Sequence, residues 1–325
     1  MSRFKVVVTD YVFPSLDIER AVLGAVGAEL VPMQVASDEP LLEAVGDADA
    51  LLVCYAPVTR RVIERAGRCR IIARYGIGVD NVDIEAASAR GIVVTNVPDY
   101  CVEEVSDHAL ALLLACARRV AFLDRRVRAG RWSAKDAVPA YRLRGQVLGL
   151  VGFGKIPRDL AGKARALGLT VIAFDPYVDA ASMVAHGVEK VEFAGLLARA
   201  DYVSIHSPLN PQTRGLIGEA ELRAMKPTAY LINTARGPIV NEAALTRALR
   251  ERWIAGAALD VLDTEPPASD HPLLALDNVI LTPHVAFYSE ESLQELQRKA
   301  SEEVARVLAG QLPRYPVNTP RPATP

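Results

Sequence analysis

Short apolar runs recur along the chain, each followed by a stretch in which apolar residues stand three or four apart with charges between them. Such a run reads as a strand buried on both faces, and the stretch after it as a helix that buries one stripe. Before residue 100 the pattern predicts strands over 4–8, 50–54, 71–73 and 93–95, with helices over 18–26, 60–66 and 83–89 between them. Alternation of this kind gives a parallel sheet covered by helices on both faces. Val97-Pro98 closes the unit, and a single long helical pattern over 102–128 leads into a polar segment, where a domain crossing is expected.

From Val147 the alternation resumes, with strands over 147–151, 170–174, 202–205, 229–233, 257–261 and 279–281. Six strands suit a second doubly wound sheet. The last helix, over 290–308, has no strand after it and is expected to pack back on the first domain. The expected division is therefore residues 1–98 with 288–325 as a substrate (lid) domain, and 99–287 as a dinucleotide-binding domain. The proline-rich segment 312–325 is expected to be loose.

The strand over 147–151 runs into Gly152-Phe153-Gly154-Lys155-Ile156-Pro157. Gly152 permits a tight turn, Gly154 has no side chain to block a phosphate, and the N–H groups at the start of the helix attract negative charge. This is the chemistry of a dinucleotide pyrophosphate site. The next strand delivers Asp175 about twenty residues beyond the glycines, where a carboxylate accepts from both ribose hydroxyls and repels a 2′-phosphate. Pro176 and Tyr177 follow it, with no arginine to receive that phosphate, so NAD is expected rather than NADP. Pro157 holds the third glycine position, which lies in the first helical turn, where its missing N–H has no intrahelical partner to lose.

Three more polar residues stand at or just beyond the carboxyl ends of strands, where open α/β sheets bind ligands. The Arg236 guanidinium, in a turn before Gly237-Pro238, suits a 2-oxo acid, whose carboxylate it can hold by two hydrogen bonds and whose carbonyl it can polarise. His284 follows a strand and Pro283, and imidazole is the side chain best suited to exchange a proton near neutrality. Glu265 can hold the second ring nitrogen and fix the tautomer. His108, His186, His206 and His271 are expected to be structural.

Composition narrows the field further. A chain of 325 residues suits two domains, and a formal net charge of -2 shows no basic excess to attract nucleic acid or anionic lipid. The apolar run over 109–117 is about half a membrane span, and the first apolar run is too brief for a signal peptide core. A cytoplasmic protein with no membrane or nucleic-acid partner is expected. Cys54, Cys69, Cys101 and Cys116 show no metal-ligand spacing, so they are expected in the core and no metal is expected.

With these residues in place, the chain resembles the D-isomer-specific 2-hydroxyacid dehydrogenase family from about Leu51 to Leu308. The likeness is carried, in order, by Tyr75-Gly76-Ile77-Gly78-Val79-Asp80-Asn81-Val82-Asp83, the glycine turn with Asp175, Asn233-Thr234-Ala235-Arg236-Gly237, Ala258-Leu259-Asp260-Val261, Glu265-Pro266 and Thr282-Pro283-His284. The resemblance implies two doubly wound parallel-sheet α/β domains, a Rossmann NAD-binding domain and a smaller flavodoxin-like substrate domain. It implies that Arg236 binds substrate, Glu265 orients His284, His284 is the acid/base and Asp260 holds the nicotinamide carboxamide. Tyr75, Gly76, Ile77 and Gly78 are implied to bind the substrate with Arg236, its carboxylate lying on the backbone amides of the Gly76-Ile77-Gly78 loop, in the crevice between the domains. Lys155, Ile156, Pro208, Thr213, Thr234 and Ala235 join Gly152, Gly154, Asp175 and Asp260 as expected cofactor contacts. The implied reaction interconverts a small 2-oxo acid and its D-2-hydroxy acid, in a homodimer built around the long helix and the arm after it. Asp175-Pro176-Tyr177 and the stretch 282–290 are most similar to the carboxyl-terminal-binding protein corepressors. An NAD-dependent dimeric scaffold with little turnover is therefore the alternative.

Overall fold

The computed structural model describes residues 3–320. The chain divides into two compact units, one of Met1–Tyr100 with Ser289–Pro325 and one of Cys101–Tyr288. In the first, β1 (Phe4–Val8), β2 (Ala28–Pro32), β3 (Ala50–Val53), β4 (Ile71–Arg74) and β5 (Val93–Thr95) form a wholly parallel sheet in the order β2-β1-β3-β4-β5. That is the flavodoxin-like order. Every position of β3 and β4 is buried, which is why β3 and the first three residues of β4 are continuous apolar runs in the sequence. The pattern of apolar runs does not show β2, because an edge strand with all five residues partly or fully exposed to solvent has no buried run to reveal.

The helix Glu290–Leu308 belongs to this first unit and packs against the helix Asp17–Gly24. Their contact encloses a polar cluster: the Gln297 amide donates to both carboxylate oxygens of Glu19, and the Tyr75 hydroxyl donates to Oε1 at 2.9 Å. Burial pushes the Glu19 carboxyl up, and these donors pull it back. The segment after the helix is held in place, contrary to the expectation of a loose tail. Val317 N–H donates to Val94 O, and Asn318 Oδ1 accepts from Val94 N–H at 2.8 Å. Buried Glu303 takes the amides of Arg314 and Tyr315. The free edge of β5 supplies hydrogen-bonding groups that composition alone does not reveal. The end of the expected loose segment, 321–325, lies outside the described residues.

The second unit is a seven-stranded parallel sheet of β6 (Val147–Val151), β7 (Thr170–Phe174), β8 (Glu189–Lys190), β9 (Tyr202–Ile205), β10 (Tyr230–Asn233), β11 (Gly256–Leu259) and β12 (Val279–Leu281). The order is β12-β11-β10-β9-β6-β7-β8, a Rossmann arrangement whose strand order reverses between β6 and β9. The seventh strand, β8, has two residues and is too short to leave a periodic signal. The long helical pattern over 102–128 is two helices, Val102–Ala117 and Val120–Arg128, broken where Arg119 adopts a φ of 54°. One left-handed residue reverses the chain locally without disturbing the apolar spacing on either side.

All four cysteines are buried and none is in a disulfide, and burial pushes the thiols of Cys54, Cys69 and Cys116 up to about 12. No helix among the described residues is long and apolar enough to cross a membrane.

Candidate active site

The glycine turn sits at the carboxyl end of β6. Gly152 has a φ of +97°, its N–H donates to Phe174 O at 2.8 Å, and a Cβ there would lie 3.0 Å from the His206 carbonyl carbon. Only glycine suits that backbone and that gap. Gly154 caps the helix Lys155–Ala166, and a Cβ on it would meet nothing within 4 Å, so the first turn opens onto free space. Pro157 is the third residue of this helix and is buried, so the proline at the third glycine position leaves the helix unbroken. Asp175 follows β7, and its carboxylate accepts from Phe153 N–H and from Tyr177 N–H, each at 2.8 Å. The glycine turn and the acid are thus tied directly to each other.

The histidine expected to exchange a proton is at the other side of the same sheet. His284 follows β12 with a φ of 52°, a left-handed conformation that costs a non-glycine residue roughly 1–2 kcal/mol. Its Nδ1 lies 2.6 Å from Glu265 Oε2. An ionised carboxylate only accepts, so Nδ1 carries the proton of this bond. Glu265 is held in turn, because Oε1 accepts from Leu262 N–H at 2.9 Å. The loop that carries His284 is fixed by Asp260, whose carboxylate is almost wholly buried. Its Oδ1 accepts from Thr282 Oγ1 at 2.6 Å and Val285 N–H at 3.0 Å, and its Oδ2 accepts from Ala286 N–H at 2.9 Å. His108 braces the same loop, with Nε2 3.0 Å from Thr282 Oγ1.

Arg236 follows β10. The Asn233 side chain closes the turn around it by donating to Arg236 O, and the Arg236 guanidinium donates to Ala235 O at 2.8 Å. The next residue, Gly237, packs so closely on the Glu265 loop that a Cβ would lie 2.0 Å from the Leu262 carbonyl. The arginine turn and the carboxylate loop therefore move as one piece. Glu242 secures that loop from the opposite side, accepting from Asp263 N–H at 3.1 Å through Oε2 and from His271 Nε2 at 2.6 Å through Oε1.

Residues 110–286 match the family model for the NAD binding domain of D-isomer specific 2-hydroxyacid dehydrogenases. The chain is 41% identical over 286 residues to a glyoxylate reductase of Korarchaeum cryptofilum, covering 87% of this chain and 86% of that relative. The chain belongs to the D-isomer specific 2-hydroxyacid dehydrogenase family. It is also 39% identical over 318 residues to the D-3-phosphoglycerate dehydrogenase of Methanocaldococcus jannaschii, but spans only 60% of that longer protein. The structure of D-lactate dehydrogenase from Aquifex aeolicus, complexed with NAD and lactic acid, superposes with a TM-score of 0.89 at 26% identity, over 97% of this chain and 100% of that one. The protein is an NAD-dependent D-2-hydroxyacid dehydrogenase.

The dehydrogenase carries features that fit its cofactor. Thr234 Oγ1, at the carboxyl end of β10, is buried with no hydrogen-bond partner, as a group reserved for a ligand would be. Asp260 Oδ2 accepts from Ala286 N–H, and a carboxylate oxygen has the lone pairs to accept a second N–H. Pro208 and Thr213 form one closed turn after β9, in which the Thr213 hydroxyl donates to Pro208 O at 2.6 Å. His206, beside that turn, is pushed down to about 3 by burial and stays neutral, which leaves it unable to donate a proton as imidazolium.

In the first unit, the Tyr75 side chain turns inward. Only 1% of it is exposed, its ring meets Phe13 edge-on and its hydroxyl is spent on Glu19, so the tyrosine expected to bind substrate offers a ligand its backbone alone. Tyr100 is likewise buried, whereas Tyr55 is exposed. Gly76 has a φ of +142°, and the Arg74 guanidinium fills the place its Cβ would take. Arg74 is buried, donates to Tyr75 O and leaves its Nε without a partner. The motifs do not include Arg74 or Glu242, and they include Asn233 without a role. Only Arg74 left a signal, a charge inside an otherwise apolar strand.

Asp175→Ala is expected to lower the preference for NAD over NADP by at least about tenfold, because the variant loses both the acceptor for ribose hydroxyls and the repulsion of a 2′-phosphate. Kinetic constants with the two reduced cofactors decide it, and an unchanged ratio would remove Asp175 from cofactor selection.

Proposed function

We propose that the protein reversibly reduces a small 2-oxo acid, with glyoxylate as the first candidate, to the corresponding 2-hydroxy acid, and that His284 is its acid/base. The observation that carries the reading is the 2.6 Å bond between His284 and Glu265, on a loop held by a buried aspartate in the same unit as the glycine turn. Glyoxylate is favoured because the glyoxylate reductase relative matches this chain over nearly the full length of both proteins.

The cofactor rests on Gly152, Gly154, Lys155, Ile156, Asp175, Pro208, Thr213, Thr234, Ala235 and Asp260, and when bound as NADH it supplies the hydride. His284 gives the Nε2 proton to the substrate oxygen that becomes the hydroxyl. Glu265 holds the Nδ1 proton and fixes the tautomer and orientation of the ring. Arg236 holds the substrate carboxylate and polarises the carbonyl through its permanent charge. The first unit offers donors of the same kind in the backbone amides of Ile77 and Gly78 and in Arg74 Nε, whereas the Gly76 N–H, also expected there, already donates to Arg74 O at 3.0 Å. Each group is set before substrate arrives, so little reorganisation remains for the reaction itself.

The same reading includes a homodimer around the helix Val102–Ala117 and the arm that follows. Its support is the exposure of Val120, Val127 and especially Trp132, which is 90% exposed on an arm stiffened by ion pairs of Asp136 with Arg126 and Arg131. Sedimentation equilibrium is expected to give twice the chain mass of 35.1 kDa. A single-chain mass at micromolar concentration rules this dimer out.

His284→Gln is expected to reduce kcat for glyoxylate by about 10²–10⁴-fold with NADH affinity retained. Glu265→Gln is expected to lower kcat by at least about tenfold with NADH affinity retained, since the neutral amide no longer fixes the Nδ1–H tautomer as a carboxylate does. Wild-type turnover in either variant overturns the assignment. A wild-type protein that binds NADH but turns over no member of a broad 2-oxo acid panel is a scaffold, and the enzyme reading fails.

A further inference from the structure

The second unit contains a cavity of about 350 Å³ at the end of its sheet opposite the reaction groups. Its walls include Tyr202 and Tyr230, the first residues of β9 and β10, and Asn278, just before β12. Gly152, Asp175, Arg236 and His284 all follow the carboxyl ends of their strands. At about 3.3 Å per residue, strands of three to five residues put the two ends roughly 10–17 Å apart. A ligand in this cavity therefore occupies ground that the hydride-transfer groups do not reach.

Three arginines line the cavity, Arg119, Arg125 and Arg252. Arg119 donates to Val138 O and stacks 4.4 Å from the Phe122 ring centre, and Arg125 donates to the backbone carbonyl of Asp277. Among the described residues none of the three forms an ion pair, whereas Arg126, Arg128, Arg199 and Arg247 of the same unit are all paired with carboxylates. The exposed Asp277 is the one acidic residue in the lining. Three permanent charges around one concavity leave a positive field with nothing of equal size to neutralise it.

The backbone adds a separate observation. Three non-glycine residues among those described have a left-handed φ: His284, Arg119 at 54° and Arg252 at 60°. Such conformations persist where the surrounding fold imposes them, and they collect at ligand sites. The first aims the imidazole, and the other two aim guanidinium groups at one cavity. The fields of Arg119 and Arg252 both act on the Tyr230 hydroxyl, so the two charges converge there. The aromatic wall of Phe122, Tyr141, Tyr202 and Tyr230 supplies flat apolar surface beside the charge.

We propose that this cavity binds a small organic anion, a carboxylate or phosphate carried on a flat aromatic or apolar body. The volume falls within the range of about 300–1,000 Å³ typical of small-molecule sites. Guanidinium forks match the planar geometry of either anionic group.

The test is isothermal titration of the intact protein, saturated with NADH so that its adenosine site is filled, with AMP and with 4-hydroxybenzoate as probes. Binding of one equivalent of either probe per chain is expected, AMP marking a phosphate site and 4-hydroxybenzoate a carboxylate site. Arg119→Gly combined with Arg252→Gly suits the left-handed backbone while removing both charges, and is expected to weaken that binding at least tenfold with NADH affinity unchanged. If the double variant loses NADH binding, Arg125→Met takes its place with the same expectation. The proposal fails if neither probe binds, if excess NADH displaces the probe, or if the charge-deleted variant binds as the wild type does. It also fails if the wild type binds no probe as a dimer and the variant sediments as a monomer, since a second copy of the chain is then the occupant.

Discussion

A single buried carboxylate, that of Asp260, determines whether this site exists. It sits just beyond β11 and collects a hydroxyl and two backbone N–H groups from the loop after β12. Hydrogen bonds to a charged acceptor contribute about 1.5–3 kcal/mol each. Three of them exceed the roughly 1–2 kcal/mol that the left-handed backbone of His284 costs, so the strained conformation is the stable one. The histidine is therefore presented to its carboxylate by a loop that has no cheaper arrangement. Removing Asp260 would leave two amides and a hydroxyl unsatisfied as well as releasing the strain.

From that anchor the rest of the site is reached by short contacts. Asp260 sets the His284 loop, His284 meets Glu265, and the Glu265 loop is pressed against Gly237 with no room for a methyl group. Gly237 follows Arg236, so the guanidinium and the imidazole are referred to the same piece of backbone. Glu242 closes the arrangement from outside by holding residues 263 and 271 together. On the other side of the sheet, Asp175 binds the amide of Phe153 inside the glycine turn and thereby ties that turn to the end of β7. Carboxylates accepting backbone amides are the recurring device, and each one converts a loop into a fixed mount.

Much of this was legible in the sequence, because buried parallel strands must be apolar throughout and reaction groups gather at their carboxyl ends. The strands β1, β5, β6, β7, β9 and β12 and the helix Glu290–Leu308 coincide with the bounds read from apolar runs and helical spacing. What escaped was short or exposed: β2 and β8 lie at sheet edges, and the turn at Arg119 breaks a helix without breaking its periodicity. Among polar residues, types that do chemistry were visible and those that hold backbone were not. Glu242 acts on an amide and an imidazole whose positions depend on loop paths, and no spacing rule encodes those paths. Tyr75 misled for the converse reason, since its place beside a glycine loop does not reveal that its ring points into the core toward Glu19.

The most direct test of the role of Asp260 is the long-range ¹H–¹⁵N spectrum of the histidine rings in the cofactor-free protein, compared between wild type and Asp260→Ala. The account predicts that wild-type His284 shows a protonated Nδ1 held in a slowly exchanging hydrogen bond, and that this signature disappears in the variant although Glu265 is intact. A His284 ring that keeps its tautomer and its exchange protection without Asp260 would contradict the account.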